Sequence, residues 1–284
     1  MTGRGLHRLF VAALVAGLLF GGSAVALDRY ALPAGDGEVL TLLLLGSDEG
    51  PPRSADPFRG RADGFQILFV SGDRQHATFV SVPRDAWVPV AGRGNGRINN
   101  CLLGGGERCM ATVENEFGIE VDGYLVTSMD AFKAAVNAFG GLTVDVATPV
   151  SQGGASITSA GVQQLTGSQA LTYGRDRKTR AGGDLTRSRA QAELLAVGHR
   201  QLVAEASPDR VLDVVSILRR HTVTDLSGPQ LARLGFEALQ LPPDNVQRVV
   251  AEGDNAFVGE AAVVRLRASA YQVIRDAADD ARVG

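Results

Sequence analysis

Two periodicities organise the chain. A continuous apolar run at 39–45 predicts a central strand buried on both faces, and runs at 65–70 and 77–82 predict two more, joined by the polar turn Gly72-Asp73-Arg74. Helical spacing of apolar positions recurs at 107–117, 130–139, 166–173, 185–206, 208–220 and 229–239, interleaved with strand-like stretches at 121–127 and 142–146. A strand at 247–251 and a last helix at 260–278 complete the pattern. Strands alternating with helices imply an α/β fold, a sheet covered by helices on both faces. No internal repeat or low-complexity stretch interrupts residues 38–284, which read as one domain.

The N-terminus breaks this pattern. Residues 1–8, with Arg4, His7 and Arg8, precede an uncharged run at 9–27, long enough to cross the ~30 Å hydrocarbon core as a helix. Positive charge before the run keeps the first residues cytoplasmic and places everything after it outside, in a single-pass membrane protein with a linker at 28–37. A cleaved signal peptide is the alternative, because Ala24-Val25-Ala26 is a small-x-small site. Either way the domain is exported. An oxidising compartment permits Cys101 and Cys109, eight positions apart, to close a disulfide; two separate buried thiols are the other reading. Two cysteines with no neighbouring histidine do not complete a zinc shell.

Composition then removes broad classes. The 284 residues are 45% hydrophobic and 21% charged, the balance of a folded protein rather than a disordered chain. A formal net charge of −3 lacks the basic excess that coating nucleic acid requires, so any phosphate binding must be local.

Local chemistry gathers where the predicted elements end. Strand one runs into Gly46-Ser47-Asp48, and Arg61 and Asp63 stand just before strand two; two carboxylates at strand ends can face one crevice. Strand three ends in Val82-Pro83-Arg84-Asp85, where proline stiffens the turn that carries the guanidinium. Later come Arg175-Asp176-Arg177, then Asp184 and Arg187, with Gln191 one helical turn beyond Arg187. Carboxylates suit Mg2+ or Mn2+, and arginine forks match phosphate oxygens; a diphosphate held by both satisfies the set. Each of these side chains, taken alone, can equally be one half of a surface ion pair.

The ordered segments LLLLGSD, GRADG, SVPRD, RINN, GVQQLTGSQALTYGRDR and GGDLTRSRAQ, spread over 42–191, resemble the LytR-CpsA-Psr family of exported cell-wall glycopolymer ligases. The resemblance implies a three-layer α/β/α sandwich with a mixed central sheet and a hydrophobic tunnel for an isoprenoid tail. It also implies a reaction, transfer of a glycan phosphate from a polyprenyl-diphosphate carrier to a peptidoglycan hydroxyl. Asp48 and Asp63 then match the family's Mg2+ ligands, Arg61 and Arg84 its diphosphate clamps, and Arg175, Arg177, Arg187 and Gln191 the opposite wall. Asp63, Arg84 and Arg61 are the residues on which catalysis would turn. Asp85 and Asp184 are orienters of the arginines, and Asn99 matches the family's basic-Ile-Asn motif, with Arg97 in place of lysine. The chain departs from the pattern at Glu49, at Gly64 where threonine is usual, and at Arg189, which a helix would turn away from Arg187. Phe132, Val136, Leu194 and Leu195 are candidates for the tunnel or for an ordinary core, and Trp87 for stacking on a sugar or capping the core. Two other functions use the same residues: a non-catalytic module that binds lipid-linked or wall glycans, and a polyprenyl-diphosphate diphosphatase.

Overall fold

The computed structural model describes residues 32–35, 37–49, 56–151, 155–176, 179, 184–205, 216–217 and 220–284. The apolar segment 9–27 and most of the helix expected at 208–220 lie outside them; among the described residues no helix is long and apolar enough to cross a membrane.

A six-stranded mixed sheet forms the centre, with strand order β10-β3-β2-β1-β6-β9. Its strands are β1 (Leu40–Ser47), β2 (Ala62–Val70), β3 (Ala77–Ser81), β6 (Gly123–Ser128), β9 (Thr222–Thr224) and β10 (Val246–Val250). β1 runs parallel to β6, and β3 to β10, while β2 lies antiparallel between β1 and β3 and β9 antiparallel to β6. Among the described residues six helices accompany it: α1 (Gly106–Phe117), α2 (Met129–Ala138), α3 (Gly167–Arg175), α4 (Asp184–Glu205), α5 (Gly228–Gln240) and α6 (Ala268–Asp280).

The unbroken leucines of β1 follow from burial on both sides. Leu43 and Leu45 join Phe65, Ile67 and Phe69 of β2 in a core closed by Val113 and Phe117 of α1 and by Ile274 of α6. Leu40 and Leu42 point the other way, packing with Leu226, Leu32 and Ala34 and against Leu231 and Leu234 of α5. Each fully buried leucine contributes roughly 1.5–3 kcal/mol, so the alternation along β1 secures both helical layers. The result is helix, sheet, helix. Cys101 and Cys109 are bonded, with Cα atoms 4.8 Å apart, and tie the 3-10 turns Ile98–Gly104 to α1 in the fully buried core.

A second core lies under α2, α3 and α4 and the hairpin β7 (Leu142–Val146)/β8 (Gly161–Leu165). Val136 and Leu194 are buried in it beside Val144, Leu165, Ala170 and Tyr173, with Phe132 packed against them. Three of the four tunnel candidates thus belong to a hydrophobic core cluster.

The single helix expected over 260–278 is instead a strand and a helix. A hairpin, β11 (Gly253–Val258) and β12 (Ala261–Leu266), turns at Gly259, whose φ of +58° suits glycine, and buries the β-branched pair Val263 and Val264. Arg267 is extended before α6 begins, which separates the two elements. Another hairpin, β4 (Trp87–Val90) and β5 (Gly94–Arg97), escapes sequence patterning because Pro89 and two glycines dilute its strand signal.

Candidate functional site

The strand directions bring the chemistry to one edge. β1, β3, β6 and β10 all end there and β2 begins there, so the segments leaving β1 and β3 and entering β2 bring their residues together. Ligands in α/β sheets usually bind beyond such carboxyl ends.

Asp63 is the centre of the group. Gly64 pairs with Gly46 and Ala62 with Ser47, so Asp63 is the extra residue of a β-bulge and leaves the regular pleat. Its side chain is only 5% exposed, yet both oxygens meet guanidinium groups: Arg84 Nη1 on Oδ1 and Arg175 Nη2 on Oδ2 at 3.2 Å. A carboxylate this deep needs such partners, since an unpaired buried charge is strongly destabilising. Arg84 comes from the Pro83 turn, where its carbonyl accepts the Asn99 N–H at 3.2 Å. Asp85 Oδ1 stands 3.7 Å from Arg84 Nε and 3.6 Å from Arg97 Nε, and Arg97 in turn donates to the Ala262 carbonyl at 2.7 and 3.1 Å. Arg175 is half exposed at the end of α3. The two arginines therefore share a buried anchor, Arg84 largely inside the protein and Arg175 half exposed.

Asp48 is held next to this group by its neighbour across the strand ends. Its Oδ1 accepts the Arg61 N–H at 2.7 Å, and its own N–H donates to the Arg61 carbonyl at 3.2 Å. Arg61 leaves its side chain exposed. Ser47 Oγ donates to the Pro57 carbonyl at 2.6 Å and fastens the same loop from below. Gly60 is needed here: a Cβ would lie 2.6 Å from Ser47 Oγ, 2.7 Å from the Glu49 nitrogen, and closer still to Asp48 Oδ1.

Gln191 reaches the site from α4. Its Nε2 donates to the Asp63 carbonyl at 3.1 Å and to the Gly174 carbonyl at 3.3 Å, joining the bulge to the last turn of α3. Arg187 is buried on α4, and Arg189, two residues on, is turned away to Glu252 at 3.2 Å. Asp176 is buried, its Oδ1 accepting from Thr179 N and Oγ1 at 3.1 and 2.8 Å. Arg177 and the side chain of Asp184 lie outside the described residues.

Two features of the site carried little sequence signal. Ser81, fully buried, lies 2.5 Å from Gln66 Oε1 and 2.9 Å from the Ser188 carbonyl, a polar layer beneath the arginines whose only trace in the sequence is a glutamine inside an apolar strand. On that same face Gly46 and Gly64 meet, with a Cβ on Gly46 falling 3.4 Å from the Gly64 nitrogen. Behind them Leu44, Leu68, Val70 and Leu125 stay only half buried in the middle of the sheet. An apolar floor thus leads away from the charged edge.

Convergent guanidinium groups on a fixed carboxylate form an oxyanion site, suited to phosphate oxygens in a bidentate way. Asp48 and Asp63 contribute oxygen donors alone, the kind Mg2+ accepts when phosphate and water complete its shell. Among the described residues no cluster of three acidic, histidine or cysteine groups would hold a metal unaided.

Fold and site together define a three-layer α/β/α domain with two arginines gathered on one buried carboxylate at its strand ends. The chain matches the LytR_cpsA_psr family over residues 27–279 and belongs to it. It is 30% identical over 204 residues to the polyisoprenyl-teichoic acid–peptidoglycan teichoic acid transferase TagU of Oceanobacillus iheyensis, a match covering 69% of this chain and 62% of that protein. The chain thus spans about three fifths of that curated relative's length. Among solved structures, gbs0355 of Streptococcus agalactiae superposes with a TM-score of 0.74 at 20% identity, covering 88% of each chain. TagV of B. subtilis superposes with a TM-score of 0.71 at 20% identity, covering 85% of this chain and 96% of that one.

Proposed function

We propose that this protein is a phosphotransferase of cell-wall assembly, moving a glycopolymer phosphate from a polyprenyl-diphosphate carrier to a peptidoglycan hydroxyl. One observation carries the reading: Arg84 and Arg175 are fixed by one buried carboxylate at the open edge of the sheet. The half-covered leucine face behind Gly46 and Gly64 supports a lipid-linked substrate, and the name of the Oceanobacillus relative supports the polymer and the acceptor.

In this reaction the acceptor oxygen forms a bond to the phosphorus that carries the glycan. The bridging P–O bond of the diphosphate breaks, polyprenyl monophosphate leaves, and the hydroxyl proton is released. Charge builds on the phosphate oxygens, and guanidinium groups already oriented towards them lower that barrier without reorganising. Arg84, Arg175 and the exposed Arg61 serve this role, with Gln191 and Asp85 positioning them. Mg2+, or Mn2+, would be held by Asp48 and Asp63 and would neutralise diphosphate charge.

The segment 9–27 anchors the protein in the cell membrane, with residues 1–8 cytoplasmic and the domain outside; a disulfide in the core suits that oxidising side. The test is full-length protein in detergent with a short-chain polyprenyl-diphosphate analogue and a glycan acceptor. Acceptor-dependent release of polyprenyl monophosphate, lost in Asp63→Ala and Arg84→Ala, supports transfer. Release into water unaffected by acceptor makes it a diphosphatase, and binding without turnover makes it a binding module.

A further inference from the structure

Gln66 interrupts the apolar alternation of β2. The register puts Gly64, Gln66, Leu68 and Val70 on one face of the sheet, opposite Gly46, Leu44, Leu42 and Leu40 of β1. The amide thus stands between the bare glycine pair at the site and the half-covered leucines behind it, two residues or roughly 7 Å inside the edge that carries the arginines. Helix α4 covers the same face. The Ser188 carbonyl meets Ser81, Gln191 Oε1 lies 3.8 Å from where a Cβ on Gly64 would be, and the half-buried Leu195 follows Gln191 one turn further on.

Only one end of this amide is engaged. Gln66 is 4% exposed; its Oε1 accepts the Ser81 hydroxyl at 2.5 Å, and its Nε2, also buried, has no hydrogen-bond partner among the described residues. An unpaired buried donor costs stability, a cost that an apolar side chain of the same length would not carry. Ser81 does not require the amide either, since its hydroxyl also reaches the Ser188 carbonyl at 2.9 Å. The position therefore suits a ligand that brings an acceptor. In a lipid-linked diphosphate the last oxygens before the hydrocarbon are those of the lipid-side phosphate, and the tail beyond them carries none. A donor set between a charged edge and an apolar face meets such a substrate at that phosphate.

We propose that Gln66 Nε2 donates to the lipid-side phosphate of the substrate, the group that departs as polyprenyl monophosphate. When the bridging P–O bond breaks, its electron pair stays on that phosphate, and a hydrogen bond already aimed there strengthens as the charge arrives. Arg84 and Arg175 hold the diphosphate from the edge, while Gln66 singles out the departing phosphate and marks where the hydrocarbon begins. The inference rests on the phosphotransfer reading for the identity of the ligand.

The test uses full-length protein in detergent and two probes of equal chain length, a short polyprenyl monophosphate and the corresponding prenol. Gln66→Met keeps the length of the side chain and removes the amide; Gln66→Glu keeps an acceptor for Ser81 and puts a negative charge where the donor stood. Monophosphate affinity is expected to fall about tenfold in Gln66→Met and further in Gln66→Glu, with prenol affinity in Gln66→Met equal to wild type or tighter. The Tm of Gln66→Met should equal or exceed that of wild type, because an unpaired donor is gone. A Tm that falls while monophosphate affinity stays unchanged identifies a purely structural polar layer and overturns the proposal. An equal loss for monophosphate and prenol, or absence of saturable monophosphate binding to wild type, overturns it as well. Acceptor-dependent turnover with monophosphate binding indifferent to Gln66 removes the donor role and leaves the phosphotransferase standing; Gln66-dependent binding without any turnover removes the phosphotransferase and leaves the phosphate site.

Discussion

Asp63→Asn separates holding the arginines from binding the phosphate. The substitution keeps the shape of the side chain and removes its charge. Arg84 lies largely inside the protein, so losing its charge-assisted bond to a buried carboxylate costs about 1.5–3 kcal/mol. Arg175 is half exposed and screened by water, which limits its share to less than about 1 kcal/mol. The sum is about 3 kcal/mol. For a domain of about 250 residues, unfolding entropy near 2.1 cal/mol/K per residue turns this into a fall in Tm of roughly 6 °C. The effect on rate has the same origin: two guanidinium groups that must be gathered during the reaction forfeit up to about 3 kcal/mol of transition-state stabilisation, on the order of 100-fold in turnover. Ground-state affinity measured without divalent cation should behave differently, because removing a negative charge frees both arginines for the diphosphate. Thermal unfolding, equilibrium binding of the lipid-diphosphate analogue and single-turnover release of lipid monophosphate measure the three quantities. The expected pattern is a lower Tm, a much lower rate and an affinity unchanged or tighter. A variant with unaltered Tm and rate, or one whose main defect is loss of binding, would refute the view of Asp63 as a shared anchor.

Three more predictions rest on separate features. Replacing Cys101 and Cys109 by serine opens a loop of eight residues' separation, and the chain-entropy estimate of about 2.5 kcal/mol corresponds to a Tm loss near 5 °C, with the same loss on reducing the wild type; equal Tm values with and without reductant would count against it. Gly60→Ala forces a methyl group against Ser47 Oγ, Asp48 and the Glu49 nitrogen, so lipid-diphosphate turnover should drop at least tenfold and Tm should fall, and full activity would show that Asp48's placement is not critical. His199 has its pKa held below the usual 6.5 by burial, while its Nε2–H donates to the Ala238 carbonyl at 2.8 Å. Below pH 6.5 the unfolded chain takes up this proton before the folded one does, so stability falls as pH drops from 6.5 towards the lowered value; His199→Gln should flatten Tm against pH over that window, and identical profiles would dismiss the effect.

The sequence pattern was most legible where burial is two-sided. The leucine run of β1 and the alternating helices of the sandwich leave unmistakable periods, and the arginines and aspartates at strand ends stand out because the elements that carry them end abruptly. The segment 260–266 misled because its alanines, valines and charged residues fit a helical repeat as well as a strand, and only packing of Val263 and Val264 against the core decides between them. Arg175 and Arg84 are 91 positions apart, and no local pattern reveals that one carboxylate holds both. Nor does any local pattern reveal that Gln191 Nε2 donates to the main-chain carbonyls of Asp63 and Gly174.

The bulge at Asp63 has a consequence for how this chain can vary. Side chains in β2 alternate faces, so deleting one residue between Ala62 and Gly64 would either pull the carboxylate out of the crevice or slide the strand by one position. A slide would exchange Ile67 and Phe69 with Leu68 and Val70 and turn the packed face of the strand towards the half-covered one. Among descendants of this sequence, length changes should accumulate before Asp56 and stop short of the three residues that carry the extra one.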